Sequence, residues 1–155
     1  MARRFDLPTV ATATGLAAVA AVHAAWARGS TWPRRTDEEL ADLVVGKQPM
    51  PPRATSAGVA AALGGAAAAV AIAGHGAPDR RLTRLARLAA LIAARVLRTR
   101  GMGGVAMAIA GSSTSGGDAS EEFRRNDIRF YSPMCLALSV GAARAARKSQ
   151  PEPAG

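Results

Sequence analysis

Five polar residues stand inside or beside long apolar stretches of this sequence, where an ionised or hydrogen-bonding group needs a partner. They are Arg98, Arg100, Asp127, His23 and Tyr131. A lone arginine at the centre of a bilayer costs about 2.5–3.5 kcal/mol on insertion scales, so a buried guanidinium should seek a carboxylate. We predict that Asp127 pairs with Arg100, or with Arg98 in its place. Such a pair could lock two helices together, or it could form a binding or proton-linked site.

Other reactive side chains do not form a catalytic set. Cys135 is the single cysteine, which excludes an internal disulfide and a cysteine-based metal site. It shares a helical face with Tyr131, but no histidine or lysine lies close in sequence to activate a thiol. His23 and His75 fall at opposite ends of two antiparallel apolar segments, too far apart to hold a haem or metal ion together. We predict no catalytic residue, no cofactor and no metal site, and a protein that is not an enzyme.

The composition favours lipid over water as the surrounding medium. Hydrophobic residues make up 49% of the 155 residues, but aromatic residues make up only 4%, and most of the apolar content is alanine. Burying a Leu, Ile, Val or Phe side chain contributes roughly 1.5–3 kcal/mol, whereas alanine contributes much less. A water-soluble core of this composition would be poorly stabilised. In lipid, backbone groups pair within helices, and small residues let those helices pack closely.

The net charge of +9 does not by itself indicate nucleic acid. All but Lys47 and Lys148 of the 20 basic residues are arginine, and they are spread over every region between the apolar segments. A nucleic-acid site would require a clustered basic face, or aromatic side chains interleaved with basic ones. We expect the lipid bilayer as a partner, a membrane protein as a further partner, and no nucleic acid. No oligomeric state follows from the sequence.

Four segments nearly free of charge predict an all-α fold. We expect an integral membrane bundle of four transmembrane helices, of which the third is Arg-rich and the fourth short. About 20 helical residues cross a hydrocarbon core of about 30 Å. The helices are expected at about 7–27, 55–75, 86–110 and 130–146, in a single membrane domain of residues 1–146 followed by a disordered tail over 147–155. The fourth helix spans only if Arg129 and Arg144 extend toward the interfaces.

The first segment has a second interpretation. Two arginines, an apolar run and Ala25-Trp26-Ala27 have the form of a signal peptide with an Ala-x-Ala cleavage site. A cleaved signal should be followed by a mostly soluble chain. This segment is followed by further apolar segments, which favours a retained helix.

The third segment also permits two interpretations. Arginines recur at helical spacing on one side of it, at positions 80, 84, 87, 95 and 98. Taken alone, this pattern is typical of a basic amphipathic helix that lies on an anionic membrane surface. A spanning helix would instead carry Arg95, Arg98 and Arg100 inside it.

Several short motifs resemble one known family. They are Phe123-Arg-Arg-Asn-Asp127, Tyr131-Ser-Pro-Met-Cys-Leu136, His23-Ala-Ala-Trp26, Leu43-Val-Val-Gly46, Met50-Pro-Pro52 and Arg100-Gly-Met-Gly-Gly104. Over nearly its whole length the chain resembles the domain of unknown function 3995 family of small bacterial integral membrane proteins. The resemblance implies four membrane helices and no known activity. The chain departs from the family pattern in its Arg-rich third helix and in a last helix cut short by Arg144.

The short loop over 75–87 contains four arginines, and such loops remain on the cytoplasmic side. We therefore expect both termini on the cytoplasmic face of the bacterial cytoplasmic membrane. The leading interpretation is a multi-pass membrane protein of unassigned molecular function with a structural or interaction role. One alternative is an exported protein that loses residues 1–27 and binds anionic lipid through the Arg80–Arg98 stripe. A second is a small transporter-like protein that uses a buried Arg/Asp cluster.

Overall fold

The computed structural model describes residues 6–110 and 119–148, and within these ranges the regular structure is entirely helical. Four long helices are accompanied by three shorter helical elements. The elements are α1 (Leu7–Ala27), α2 (Asp37–Val44), α3 (Arg53–His75), α4 (Arg80–Ile109), α5 (Glu121–Asn126), a π-helical turn (Asp127–Tyr131) and α6 (Ser132–Arg147).

Local sequence signals explain where several helices begin. The hydroxyl of Thr36 accepts a hydrogen bond from the backbone N–H of Glu39 at 3.2 Å. Asp79 accepts one from the N–H of Arg81 at 2.7 Å. Ser120 caps α5 in the same way. Each cap satisfies a backbone donor that has no partner within the first turn.

The four long helices α1, α3, α4 and α6 form a bundle in which each helix packs antiparallel to the next long helix in the chain. Thr9, at the start of α1, contacts Gly74 near the end of α3, while Thr12 contacts Gly141 near the end of α6. At one end, Lys148 forms an ion pair with Asp6. We call this end the proximal end. It contains Asp6, Lys148 and the connection over 76–79. The opposite end, with α2 and α5, is the distal end.

Small residues form most of the interior of the bundle, and many large apolar residues lie on its outside. The buried positions of α4 recur every three or four residues; they are Thr83, Ala86, Ala90, Ala94, Leu97, Gly101, Gly104 and Ala108. On the outer side of the same helix, Leu85, Leu88 and Val96 are 64%, 56% and 63% exposed. A soluble core would instead bury most of these large side chains.

Two of the described helices, α1 and α3, are long and apolar enough to cross a membrane. The helix α4 is long enough to cross a membrane, but its arginines make it too highly charged to count with these two.

The distal end is closed by the segment between α1 and α3. Leu40 and Phe123 are 1% and 2% exposed. Gly46 has a φ of +83°, and a side chain there would collide with the Phe123 ring. Ser120 donates its backbone N–H to the Gly46 carbonyl at 2.8 Å, and Arg34 forms an ion pair with Glu122. These contacts join α2 to α5 over the bundle.

The observed helices differ from the expected boundaries at several points. The third long helix begins at Arg80 instead of near residue 86, because Asp79 caps it. Helical structure before α6 begins at Glu121 instead of near residue 130, because charged residues such as Arg124 interrupt an apolar span but not a helix. Of the tail expected to be disordered, Arg147 ends α6, Lys148 forms contacts, and 149–155 lie outside the described residues.

Candidate functional site

An ion pair joins α4 to the π-helical turn. The Nη2 atom of Arg100 donates to Oδ1 of Asp127 at 2.9 Å. The carboxylate side chain is 1% exposed, whereas the arginine side chain is 33% exposed. Ser132, fully buried, donates its hydroxyl to the same carboxylate oxygen at 3.2 Å. The buried charge therefore has both a counter-ion and a neutral donor.

The π-helical turn explains how Asp127 and Ser132 share this site. Five residues of α-helix rotate by about 140° beyond a full turn, so the two side chains would diverge. In the wider turn, the backbone N–H of Ser132 donates to the carbonyl of Asp127, five residues earlier. The side chains of Asp127 and Ser132 then both face α4. π-Helical turns are rare and frequently occur at functional sites.

Two glycines of α4 make room for the pair. A side chain on Gly104 would collide with Arg100 Nη1, the Ser132 hydroxyl and Asp127 Oδ2. One on Gly101 would lie 2.9 Å from the Ser132 carbonyl oxygen. The first turn of α6 therefore rests directly on α4 backbone at these positions.

The guanidinium of Arg100 is not fully satisfied. Its Nη1 atom is buried and has no hydrogen-bond partner among the described residues.

The other residues predicted for this cluster lie elsewhere. His23 forms a 2.9 Å contact with the carbonyl of Val19 through Nδ1, and its ring lies edge-on to Trp26 at 4.9 Å. The Tyr131 hydroxyl points to the Leu43 carbonyl at 3.5 Å, the outer limit of a hydrogen bond. Arg98 is exposed on the bundle surface. Of the five predicted residues, only Arg100 and Asp127 form a direct polar contact with each other in the described structure.

Sequence reasoning missed Ser132 and the role of the two glycines. The motif Arg100-Gly-Met-Gly-Gly104 contained the signal, because glycines three residues apart line one face of a helix. Ser132 carried no comparable signal, since its approach to Asp127 depends on the π-helical turn.

The described residues provide little else that could hold a ligand. They contain no group of three or more His, Cys, Asp or Glu side chains able to bind a metal ion. A cleft of about 160 Å³ at the distal end is lined by residues that include Trp26, Arg53 and Ser56. Pockets for organic ligands usually measure about 300–1,000 Å³, so this cleft is small.

A family model matches residues 16–142, a range that includes Arg100, Gly104, Asp127 and Ser132. The chain belongs to the DUF3995 family, whose description is protein of unknown function. This confirms the resemblance predicted from the sequence. Comparisons with curated proteins and with solved structures gave no match. The DUF3995 description assigns no activity, so only the residues of this chain bear on its function.

Proposed function

We propose that this DUF3995 protein is an integral protein of the bacterial cytoplasmic membrane, with α1, α3, α4 and α6 as four spanning helices. One observation carries the proposal. The helix interfaces are built mostly from Ala, Gly, Ser and Thr, with few large residues such as Leu16 and Val70. Large apolar side chains lie on the outside, Leu85 and Phe130 among them, at 64% and 63% exposure. Small residues at helix contacts and apolar residues on the outside are typical of helices packed in lipid.

The ion pair supports a spanning position for α4. Arg100 lies 13 residues beyond Arg87, or about 20 Å along the helix axis. A spanning α4 would therefore carry this guanidinium well inside the hydrocarbon region. Intramembrane charges normally face the bundle and pair with one another, and Arg100 does so with Asp127.

The orientation follows from the proximal end. The connection 76–79 is short, and arginines at 80, 81, 84 and 87 follow it directly. Positive residues in short loops favour the cytoplasmic side. We therefore propose that both termini face the cytoplasm.

Packing of α1 supports its retention and disfavours the alternative of a cleaved exported protein. Leu16 is fully buried, and Thr9 and Thr12 sit against glycines of α3 and α6. Removing α1 would uncover these surfaces.

We further propose a structural or interaction role without enzymatic activity. Asp127 is only 1% exposed, and it accepts hydrogen bonds from Arg100 and Ser132. This arrangement supports a lock between two helices more than a transporter-like site, which would need access to the carboxylate.

Two measurements test the proposed function. The protein should remain with membranes after carbonate extraction, and reporters fused at residue 155 and within residues 111–122 should give opposite orientations. Release by salt alone would indicate a peripheral protein held by charge. Matching reporter orientations would show that α4 or α6 does not span.

A further inference from the structure

Two arginines project from the outer surface of α4 at the middle of the bundle. Arg95 and Arg98 are exposed, and neither has a hydrogen-bond or ion-pair partner within residues 6–110 and 119–148. We propose that this face of α4 binds a membrane helix of another protein, one that carries a carboxylate near its midpoint. The inference rests on the proposed spanning position of α4.

The surface around the two arginines is apolar. Arg95 and Arg98 are three residues apart, so they lie on adjacent turns of one side. Leu91 and Met102 flank them along the same side, at 38% and 55% exposure. The buried stripe of small residues lies about 100° away around the helix. The face therefore combines two cations with apolar side chains and is separate from the contacts that hold the bundle together.

Contacts between helices fix the depth of Arg98. Leu136 packs against Gly101 of α4. Two residues further along α6, Leu138 packs against Gly15 of α1. Because α6 runs antiparallel to both α1 and α4, Arg98 lies near the level of Gly15, close to the middle of α1. Arg87 marks the proximal end, where its Nη2 donates to the Lys148 carbonyl at 2.6 Å. Arg98 is about 16 Å further along the axis.

This depth argues against lipid headgroups as the partner. The midplane of a bilayer lies about 15 Å from either headgroup boundary, which exceeds the length of an arginine side chain. Arg95 is about 12 Å beyond Arg87 and is closer to the cytoplasmic side. An anion that meets Arg98 must therefore be carried into the membrane by protein.

No acid within the described ranges 6–110 and 119–148 supplies that anion. Asp127 is engaged by Arg100, and Arg98 and Arg100 point about 160° apart around α4. In a second copy, Asp127 would again be only 1% exposed. The other described acids lie in the distal segments or at the proximal ends of helices. Charge complementarity therefore indicates a different protein.

The test uses the full chain in vesicles of zwitterionic lipid, with a fluorescent donor fused after Gly155. The probe is a synthetic apolar helix with one central Glu and an acceptor label; the matched probe has Gln in its place. We expect energy transfer to the Glu helix that exceeds transfer to the Gln helix. Arg98→Gln should weaken association about five- to thirtyfold, the range measured for polar contacts between model membrane helices.

Two further variants separate charge from folding. Arg84→Gln changes an exposed arginine near the proximal end and should leave association unchanged. Arg98→Glu should lose the Glu helix and bind a probe with a central Lys. Because Arg98 is exposed, its variants should unfold thermally as the wild type does.

Four outcomes would overturn the inference: no transfer, equal transfer to both probes, transfer that depends on added anionic lipid, or self-association without a probe that Arg98→Gln abolishes. The last two would assign the face to lipid headgroups or to a second copy. If any of these results were found while the two reporters still gave opposite orientations, the proposed four-helix membrane protein would stand and only the docking inference would fail. Matching orientations would remove both.

Discussion

Arg100 and Asp127 are hydrogen-bonded across the interface between α4 and the π-helical turn, but they are buried to different degrees. The carboxylate is 1% exposed and the arginine side chain 33%. Removing Asp127 and removing Arg100 therefore have different consequences for the residue that remains. A stranded Arg100 retains partial access to its surroundings, whereas a stranded Asp127 retains only the Ser132 hydroxyl.

This asymmetry predicts the order of three variants. Breaking a buried ion pair by removing one partner costs about 3–5 kcal/mol, while replacing both partners can be nearly neutral. Arg100→Gln should destabilise most, Asp127→Asn should destabilise less but clearly, and the double variant should recover part of the loss. Thermal unfolding in detergent measures each step.

Glu121→Gln is the control for the ion-pair variants, because Glu121 is exposed in the first turn of α5. It should change stability little. If Asp127→Asn were neutral, the pair would contribute nothing to holding α4 against α6.

The second prediction concerns Gly104. A methyl group at this position would collide with Arg100, Ser132 and Asp127 together. Overpacking of this kind typically costs about 1–3 kcal/mol. Gly104→Ala should therefore lower the unfolding temperature although alanine is the better helix former.

Gly103 provides the matched control one residue away. A side chain there meets nothing within 4 Å, so Gly103→Ala should be neutral or stabilising by up to about 1 kcal/mol. Equal effects of the two substitutions would show that helix propensity, and not the packing at Asp127, determines the outcome.

The third prediction concerns pH at the proximal end. The hydrogen bond from Lys148, supported by one from Thr9, holds the pKa of Asp6 below its ordinary value of 3.8. A lowered folded-state pKa stabilises the fold above pH 3.8, and this stabilisation is lost as the pH falls through the lowered value. Since Lys148 is 42% exposed, the pair should contribute no more than about 1 kcal/mol.

Asp6→Asn should thus be less stable than the wild type near neutral pH and approach it in acid. Unfolding of both proteins across the acid range would measure the difference. A difference that stayed constant with pH would contradict the titration of Asp6 as its source.

Sequence reasoning could predict the long helices because apolar length and arginine spacing are local properties. It identified Asp127 as the acid that would meet an arginine of the third helix, but left Arg98 and Arg100 as alternatives. The structure selects Arg100, because the two arginines point to different sides of α4 and the small-residue stripe determines which side faces α6.

The parts that escaped sequence reasoning depend on tertiary structure. The approach of Ser132 to Asp127 requires a backbone hydrogen bond between residues five apart. The spacing of apolar residues in the sequence does not predict such a bond. His23 and Tyr131 have partners other than Asp127. His23 lies against Trp26 in its own helix, and Tyr131 approaches the Leu43 carbonyl, which is distant in sequence.

The last prediction concerns α1. This helix fills the space between α3 and α6, with Leu16 fully buried and Gly15 in contact with Leu138. If α1 belongs to the folded protein, then the chain purified from membranes should retain residues 1–27. Its intact mass should be close to 15.8 kDa, apart from loss of the initiator methionine.

Ala27→Leu tests the same point from the other side. It alters the residue at which a signal peptidase would cleave Ala25-Trp26-Ala27, so it should leave the mass of a retained helix unchanged except for the substitution. A wild-type chain shortened by residues 1–27, restored to full length by Ala27→Leu, would identify a signal peptide. The packing of Leu16 against its neighbours would then describe only the precursor.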